Sequence, residues 1–558
     1  MLMSKNLRVS FALNLLLFVA FYSFFGAKFI SNDDTMMLLE SSGMLTGTPS
    51  AFLINTNIII GYILSALYGF VPSLPWYTLN LIFTLFLVCV LFYYVLLEKA
   101  GIKYGTYLFL VFMALSGFVF MFNLQFTIVS ILAVSVGFSV LLYEFFIKET
   151  AGRIVVALAA FLIIWGSFIR FNSMPLGIFI STSVFVLSYL LKINKVNYNK
   201  FVLKAALILG ILVLSFGFRA FHLDVYESSA SWKGFHLANR VKAKIIDYKI
   251  LDADDKLKSD VFAESNWSDI NYTMYKYRFF VDSNVFYLNK KILTRIYNTK
   301  VPLKKEVIEK RAKTFPVRIK SDINSSFYKY FFYSLFLVFS FIVLWVLIEF
   351  KVKNLVFVLL STLGVWAIMV LITVLMKAPP VRVLYPGFIA AFMSIFIMMP
   401  VYENKPIAKM PFVTAVIFVL AIIYFGSWFK KIGNKRDNFT REFLLMSRNK
   451  TYVYWLLPGF EYLNPFSNLS GEKMNGFVLG TYTLSDEYRQ YYNSGFFVSS
   501  AIDFVDNPDV VICIRPNNKF LIKYLREFYK EKYGMETNVN TVFNNEFMLG
   551  LTVESVEE

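Results

Sequence analysis

The sequence contains very little cysteine, histidine and charge. Only two cysteines, Cys89 and Cys513, and two histidines, His222 and His236, occur in 558 residues. Two distant cysteines, one of them inside an apolar run, provide neither a disulfide framework nor a cysteine-type metal site. Charged residues make up 16% of the chain, whereas a soluble domain carries roughly 25%. This composition excludes an ordinary soluble protein.

Apolar residues dominate instead. They form 57% of the chain, and the mean hydropathy is +0.58. These values indicate a polytopic membrane protein. The formal net charge of +18 is then divided among loops on the two sides of a bilayer, so it carries topology information and does not point to a nucleic-acid partner.

The first apolar run follows Lys5 and Arg8 and extends to about Ile30, which is long enough to cross the hydrocarbon layer. A signal peptide is the alternative. The run exceeds the roughly 7 to 15 apolar residues of a signal-peptide core and lacks a small-x-small cleavage site. We interpret it as an uncleaved first span with the N-terminus in the cytoplasm.

Ten further apolar runs predict membrane spans, which makes about eleven in total. They lie at residues 76–97, 105–122, 126–147, 154–170, 174–191, 201–219, 329–350, 354–376, 382–401 and 410–428.

Residues 52–70 are ambiguous, because this apolar stretch contains Asn55 and Asn57. If it does not cross, the lysines of the short loops, such as Lys99, Lys148 and Lys195, lie in the cytoplasm, as the positive-inside bias requires. If it crosses, that bias inverts. We therefore predict that residues 31–75 form an outer loop whose apolar helix lies in the membrane interface.

The same count places two larger non-spanning regions outside. The predicted fold is a mostly α polytopic membrane protein with a small α/β C-terminal extracytoplasmic domain, since Val510–Ile514 has strand character and Lys519–Lys532 a helical pattern. The predicted units are an N-terminal transmembrane module (1–219, with outer loop 31–75), an extracytoplasmic loop domain (220–327), C-terminal transmembrane helices (328–429) and the extracytoplasmic C-terminal domain (430–558).

An acidic pair, Asp33-Asp34, follows directly on the first span. Ionised groups beside hydrocarbon cost several kcal/mol unless they are compensated, so they are functional candidates. The structural alternative is that Ser31, Asn32 or Asp33 caps a short helix, Thr35 to Ser42, which ends at Gly43. Capping by one residue leaves the second carboxylate without a role.

Four cations are predicted at the outer ends of spans. For Lys28 we expect a side chain that snorkels to the lipid headgroups. Arg170, and Lys377 and Arg382 on either side of a Pro-Pro turn, suggest a binding site for a phosphate, because guanidinium groups bind phosphate in a bidentate manner.

Carboxylates and phosphate-binding cations on one side of a membrane suit glycosyl transfer from a lipid phosphate. A carboxylate can accept the proton of the attacking hydroxyl, which typically contributes roughly 10² to 10⁴-fold. The leaving phosphate needs cations and no proton donor. Because nucleotide sugars are not expected outside the membrane, the predicted donor is a sugar on a polyprenyl phosphate. The acceptor is a surface glycan, teichoic acid, lipid or protein of a bacterial envelope.

The arrangement of a first span, an acidic outer loop with an interfacial helix, and a Pro-flanked outer arginine resembles the GT-C superfamily of integral membrane glycosyltransferases, over roughly residues 7–430. Short patterns are similar to the first outer loop of uncharacterised bacterial members: Ser42-Gly43, Gly47–Ser50, Gly61-Tyr62, Leu67-Tyr68 and Trp76-Tyr77. The resemblance implies that one acid of the pair is the catalytic base. In relatives with an Asp-Glu pair it is the first, which corresponds to Asp33. Here the second acid is Asp34, and either remains a candidate.

Some relatives hold a divalent metal on acids of this loop, and Asp33, Asp34 and Glu40 have the oxygen ligands for one. The sequence shows no fuller ligand set, so we expect no metal and no cofactor.

Two other functions remain open. A polysaccharide polymerase or ligase would use arginines of the 220–327 region, where Arg219, Arg240, Arg278 and Arg295 are available. A transporter or flippase would carry ionisable residues at mid-span, and the predicted spans have almost none.

Overall fold

The computed structural model describes residues 4–299, 305–325, 328–348, 352–375, 381–400, 410–446, 449–467 and 474–556. The N-terminal part contains helices α1 (Lys5–Phe25), α2 (Asn32–Ser42), α3 (Ile58–Phe70), α4 (Trp76–Phe112), α5 (Phe118–Phe122), α6 (Phe126–Leu142), α7 (Arg153–Ile169), α8 (Met174–Leu190) and α9 (Phe201–Ser228), and strands β1 (Lys28–Phe29) and β2 (Asn123–Leu124).

The middle of the chain contains α10 (Phe235–Ile246), α11 (Ile250–Ala253), α12 (Asp255–Ser265), α13 (Asp269–Lys276), α14 (Ser283–Phe286), α15 (Lys290–Asn298) and α16 (Lys305–Asn324). Long apolar helices then follow: α17 (Lys329–Ile348), α18 (Val352–Leu375), α19 (Val381–Met398) and α20 (Met410–Leu444). The C-terminal part contains α21 (Asp486–Phe496), α22 (Phe520–Tyr533), β3 (Thr451–Trp455), β4 (Gly476–Leu479), β5 (Val510–Ile514), β6 (Thr537–Asn544) and β7 (Leu549–Ser555).

The protein is a multi-pass membrane protein. Within the described ranges, nine helical stretches are long and apolar enough to cross a membrane. One of these, Trp76–Phe122, is 47 residues long, but Gly101 (φ 69°, ψ 171°) interrupts it, and Tyr93 stacks on Phe109 at 4.4 Å. It is therefore a helical hairpin. Its two arms count as two spans, and the apolar helix α7, with 17 residues, adds one more. The resulting eleven helices correspond to the eleven predicted spans.

Helix α6 is the centre of the bundle. All of its residues are buried, and it packs against α4, α7, α8 and α19, which explains why its sequence is apolar all round. Small residues permit this close packing. A Cβ on Gly166 would lie 2.9 Å from Val134, and one on Gly177 at the same distance from that side chain. The central helix is thus enclosed by protein and not by lipid.

The ambiguous stretch 52–70 forms a short helix. Helix α3 has 13 residues and is about 20 Å long at 1.5 Å per residue, which is too short to span. Tyr62, Ile63 and Phe70 are exposed on it, as expected for an apolar helix in the interface. Its length agrees with the prediction that this stretch does not cross.

The C-terminal part is a small α/β domain, as predicted. Its five strands follow the order β4-β3-β5-β7-β6. Strand β3 is parallel to β4 and β5, whereas β7 is antiparallel to β5 and β6. Every residue of β5, Val510–Ile514, is buried, and this explains its continuous apolar run.

The described parts of the two non-spanning regions form one unit, called the head below (residues 229–299, 449–467 and 474–556). The Trp455 indole donates to the Tyr277 carbonyl at 2.7 Å. The Asp282 carboxylate accepts the Ala501 N–H at 2.7 Å and the Tyr533 hydroxyl at 3.0 Å. The outer loop touches the same unit, since Asn32 donates to the Leu457 carbonyl. All three regions predicted to lie outside are therefore on one side of the bundle.

Gly61 on α3 allows close contact with the preceding loop. A Cβ at this position would lie 1.9 Å from the Ala51 carbonyl oxygen, whereas a Cβ on Gly69 of the same helix meets nothing within 4 Å. We predict that Gly61→Ala lowers the stability by about 1 to 3 kcal/mol through overpacking. Gly69→Ala, the matched control, should be neutral or raise it by up to about 1 kcal/mol. Thermal unfolding of the purified protein measures both, and equal melting temperatures would contradict the prediction.

Candidate active site

The acidic pair follows a short strand pairing that joins the end of α1 to the segment between α5 and α6. After α1 the chain turns at Gly26 and forms β1, which pairs in parallel with β2, the segment between α5 and α6. Helix α2 then begins, with Asp33 and Asp34 in its first turn. Ser31 occupies the N-cap position, but its side chain makes no capping hydrogen bond to the backbone. The helix begins at Asn32, three residues before the predicted Thr35, and ends at Gly43 (φ 80°), as predicted.

Asp34 is fully buried. The Ser31 hydroxyl donates to one carboxyl oxygen at 2.7 Å. The other oxygen accepts the Tyr77 hydroxyl at 3.1 Å and the Phe126 N–H at 2.8 Å. Burial raises the pKa of Asp34 to about 7, although the hydrogen bonds from Ser31 and Phe126 lower it. Both oxygens are thus occupied by protein donors, and the group serves to join α2, α4 and α6.

Asp33 has the opposite environment. Its carboxylate accepts a hydrogen bond from Arg382 Nη1 at 3.2 Å, and the two side chains are 45% and 33% exposed. Asp33 therefore remains accessible from outside the bundle, while its partner extends from the first turn of α19. The structure brings together the residues proposed as base and as phosphate ligand.

Arg170 lies beside this ion pair. It follows the last residue of α7, donates to the Thr127 hydroxyl and places its guanidinium 4.8 Å from the Phe126 ring centre. Burial and the charge of Arg382 together lower the pKa of Arg170 to about 10, although the charge of Asp33 raises it. Asp33 is therefore within electrostatic range of two guanidinium groups. The remaining predicted cation, Lys377, lies outside the described residues.

A pocket of about 60 Å³ opens over Asp33. Three separate parts of the chain line it: the outer loop with Asn32, Asp33 and Asn55, the middle region with Arg278, and the C-terminal domain with residues 456–457 and 478–482. The pocket therefore lies at the junction of the outer loop and both halves of the head. The sequence offered no signal for the contribution of the C-terminal domain, because nothing in residues 430–558 matches a catalytic motif.

The C-terminal domain also holds α2 in place. Asn32 donates to the Leu457 carbonyl at 3.0 Å, and the Thr35 hydroxyl donates to the Phe460 carbonyl at 2.9 Å. Leu456 and Leu457 have φ values of 62° and 52°, which are strained for leucine. Strain of this kind persists only where the surroundings enforce it. This turn is thus constrained where it faces the acidic pair.

The snorkelling prediction for Lys28 is wrong. The side chain is 2% exposed, and its ammonium group lies 4.5 Å from the Tyr462 ring centre. Burial lowers the pKa of Lys28 to about 8, while the charge of Glu461 raises it. The C-terminal domain covers this residue. A snorkelling lysine needs a free path to the headgroups, and this domain blocks it.

Glu40 does not join the acidic pair at the pocket. It is 1% exposed, and burial raises its pKa to about 8, against a hydrogen bond with Ser50 that lowers it. In the part of the chain that the structure describes, no group of three or more His, Cys, Asp or Glu side chains lies together in a way that could hold a metal.

The four arginines of the middle region have different roles. Arg295 pairs with Asp260 and Glu264, Arg240 donates to the Tyr297 hydroxyl, and Arg219 lies over the Phe171 ring. Of these four, Arg278 alone lines the pocket. An active centre built from all four would therefore need a different arrangement of this region.

No protein-family model matches the chain, and no curated protein matches it. Two crystal structures of ArnT from Cupriavidus metallidurans align with nearly its whole length. The one bound to undecaprenyl phosphate is 11% identical with a TM-score of 0.38 and covers 98% of this chain and 97% of that chain. The apo structure is 11% identical with a TM-score of 0.40, covering 96% and 97%. With values this low, the likeness carries no functional conclusion.

The buried carboxyl of Asp34 predicts a pH-dependent stability. Between its ordinary pKa of 3.8 and about 7, the folded protein retains a proton that the unfolded chain has released. Stability from this group therefore falls as the pH rises through that window. Asn carries no titrating proton, and its amide can donate to Ser31 while its oxygen accepts from Tyr77 and Phe126. We predict that the stability of Asp34→Asn relative to wild type increases from pH 4 to 7, by roughly 1.4 kcal/mol per pKa unit at most.

Thermal unfolding of purified wild type and variant at several pH values measures this difference. Asp506→Asn is the control, because hydrogen bonds from Ser555 lower the pKa of Asp506. Both the folded and the unfolded chain have then lost this proton above about pH 4, so its stability relative to wild type should stay nearly constant from pH 4 to 7. A difference between Asp34→Asn and wild type that is constant over the whole range would mean that Asp34 is charged in the folded protein.

Proposed function

We propose that the protein is a membrane glycosyltransferase that moves a sugar from a polyprenyl-phosphate-linked donor to a cell-surface acceptor at the outer face of the membrane. The observation that carries this proposal is the accessible Asp33 carboxylate, which is paired with Arg382 and lies within range of Arg170. A base and two phosphate-binding groups are the parts that the reaction needs.

Asp33 is the better candidate for the general base. A base must reach within hydrogen-bond distance of the acceptor hydroxyl. Asp33 is 45% exposed at its side chain and lines the pocket, whereas Asp34 is buried with both oxygens engaged. Asp34 then acts as a positioning residue that fixes the first turn of α2. This choice agrees with the first-acid position that the GT-C resemblance implies.

Arg382 and Arg170 bind the phosphate of the donor in this proposal. The ion pair between Asp33 and Arg382 is partly exposed at 3.2 Å, and such pairs contribute at most about 1 kcal/mol. The donor phosphodiester, whose two non-bridging oxygens share one negative charge, can therefore displace the carboxylate from Arg382, and Arg382 then faces the second charge that forms when the bond to the sugar breaks. The exchange stabilises the leaving group and at the same time releases Asp33 to accept a proton.

The surroundings of the site suit a lipid-linked donor. Arg382 is on the first turn of α19 and Arg170 directly follows α7, and both helices are apolar. A phosphate held there would have its hydrocarbon chain beside the bundle and its sugar towards the head. The pocket over Asp33 is lined mainly by the head, where a polar acceptor would enter.

We predict that Asp33→Asn lowers sugar transfer by two or more orders of magnitude, because the amide keeps the size of the carboxylate and lacks its proton affinity. Asp34→Asn, the matched control, should keep transfer within about tenfold of wild type. The assay is transfer of labelled sugar to the cell surface in a deletion strain, with the amount of protein measured in the membrane fraction. Full transfer by both single variants and by the double variant would refute the proposed mechanism.

Arg382 provides a second test. Arg382→Lys should retain part of the transfer activity and Arg382→Ala very little, because lysine keeps the charge but not the bidentate geometry. Arg526→Ala is the control, since that arginine is exposed on α22. If Arg382→Ala were as active as wild type, Arg382 would have no part in phosphate binding.

A further inference from the structure

Arg278 is an unusual residue at its position. It lies at the C-terminal end of α13, where its N–H donates to the Tyr275 carbonyl and the Phe279 N–H donates to the Met274 carbonyl. These two bonds form a Schellman motif, whose left-handed position is usually glycine. Arg278 has φ 59° there. Arginine is less favourable than glycine in this conformation.

The guanidinium of Arg278 also has no hydrogen-bonding or charged partner among the described residues. It is half-buried and lines the pocket together with Asp33. In the described ranges of the chain, it makes no side-chain hydrogen bond and no ion pair. The other arginines near the site, Arg170 and Arg382, both have such partners. A half-buried cation without a partner, in a strained conformation and in a pocket, indicates a ligand.

A second cation lies close by. Lys242 on α10 is 7% exposed, and its ammonium group donates to the hydroxyl of Thr481, which lines the same pocket. Burial lowers the pKa of Lys242 to about 7, the charge of Arg278 also lowers it, and the charge of Asp33 raises it. An anion beside both groups would offset the repulsion between Arg278 and protonated Lys242.

Asp33 is thus flanked by two cationic groups. Arg382 and Arg170 belong to the membrane helices, and Arg278 and Lys242 belong to the head. We propose that Arg278 and Lys242 bind an anionic group, phosphate or carboxylate, of the sugar acceptor. This inference rests on the proposed function, because the donor phosphate is assigned to the membrane side. The acceptor is then an acidic molecule that approaches Asp33 from the head.

The test measures anion binding and requires no turnover. Full-length protein in lipid nanodiscs is titrated with inorganic phosphate and, separately, with glucuronate, and the dissociation constant is obtained from the shift in thermal unfolding. The Arg382→Ala background removes the donor-side site. On this background we expect saturable binding of at least one probe, weakened tenfold or more by Arg278→Gln and about threefold by Arg278→Lys.

The controls separate binding from folding. Gln is unbranched at Cβ like Arg and is polar but uncharged, so the cost of the left-handed backbone is similar and unfolding without ligand should match the background protein. Arg526→Ala, on the exposed face of α22, should bind as the background does. The inference is overturned if Arg278→Gln leaves the affinity unchanged, or if Arg382→Ala alone abolishes binding of both probes.

The two proposals can fail independently. If Asp33→Asn retains full transfer while binding still depends on Arg278, the anion site stands and the glycosyltransferase mechanism fails. If Asp33→Asn is inactive and binding does not depend on Arg278, the mechanism stands and the acceptor is not recognised by these cations.

Discussion

The site depends on the burial of one carboxyl group. Asp34 is enclosed by protein, and its oxygens accept hydrogen bonds from Ser31, Tyr77 and Phe126. A buried carboxyl without partners would cost several kcal/mol, so α2, α4 and α6 are held in the one arrangement that satisfies it. Because Asp33 is the neighbouring residue, the same bonds determine where its carboxylate lies.

Adjacent acids thereby acquire different chemical properties. Burial favours the neutral form of Asp34, with a pKa of about 7, whereas Asp33 is accessible and paired with Arg382. One acid supports the structure and the other remains available to a substrate. The ion pair is exposed enough for a phosphate to replace the carboxylate, and this exchange would link donor binding to the release of the base.

The C-terminal domain is part of the site and does not merely shield it. Its turn at Leu456-Leu457 contacts Asn32, and Thr481 connects it to Lys242. The strain at this turn and at Arg278 lies around one pocket. Strained backbone that gathers at a concave site is typical of ligand recognition. The head thus contributes both the cover of the membrane site and a candidate surface for the acceptor.

The apolar runs of the sequence determined the number of spanning helices, and the run Val510–Ile514 predicted a strand of the C-terminal domain, because hydrophobic length and periodicity are local properties. The sequence also pointed to Asp33, Asp34, Arg170 and Arg382, since charges at span ends are rare. Only the tertiary structure placed the two acids in different environments, showed that the C-terminal domain covers Lys28, and placed Arg278, of the four arginines, at the pocket. Burial and pairing depend on residues as far apart as Asp33 and Arg382, and no local pattern encodes such contacts.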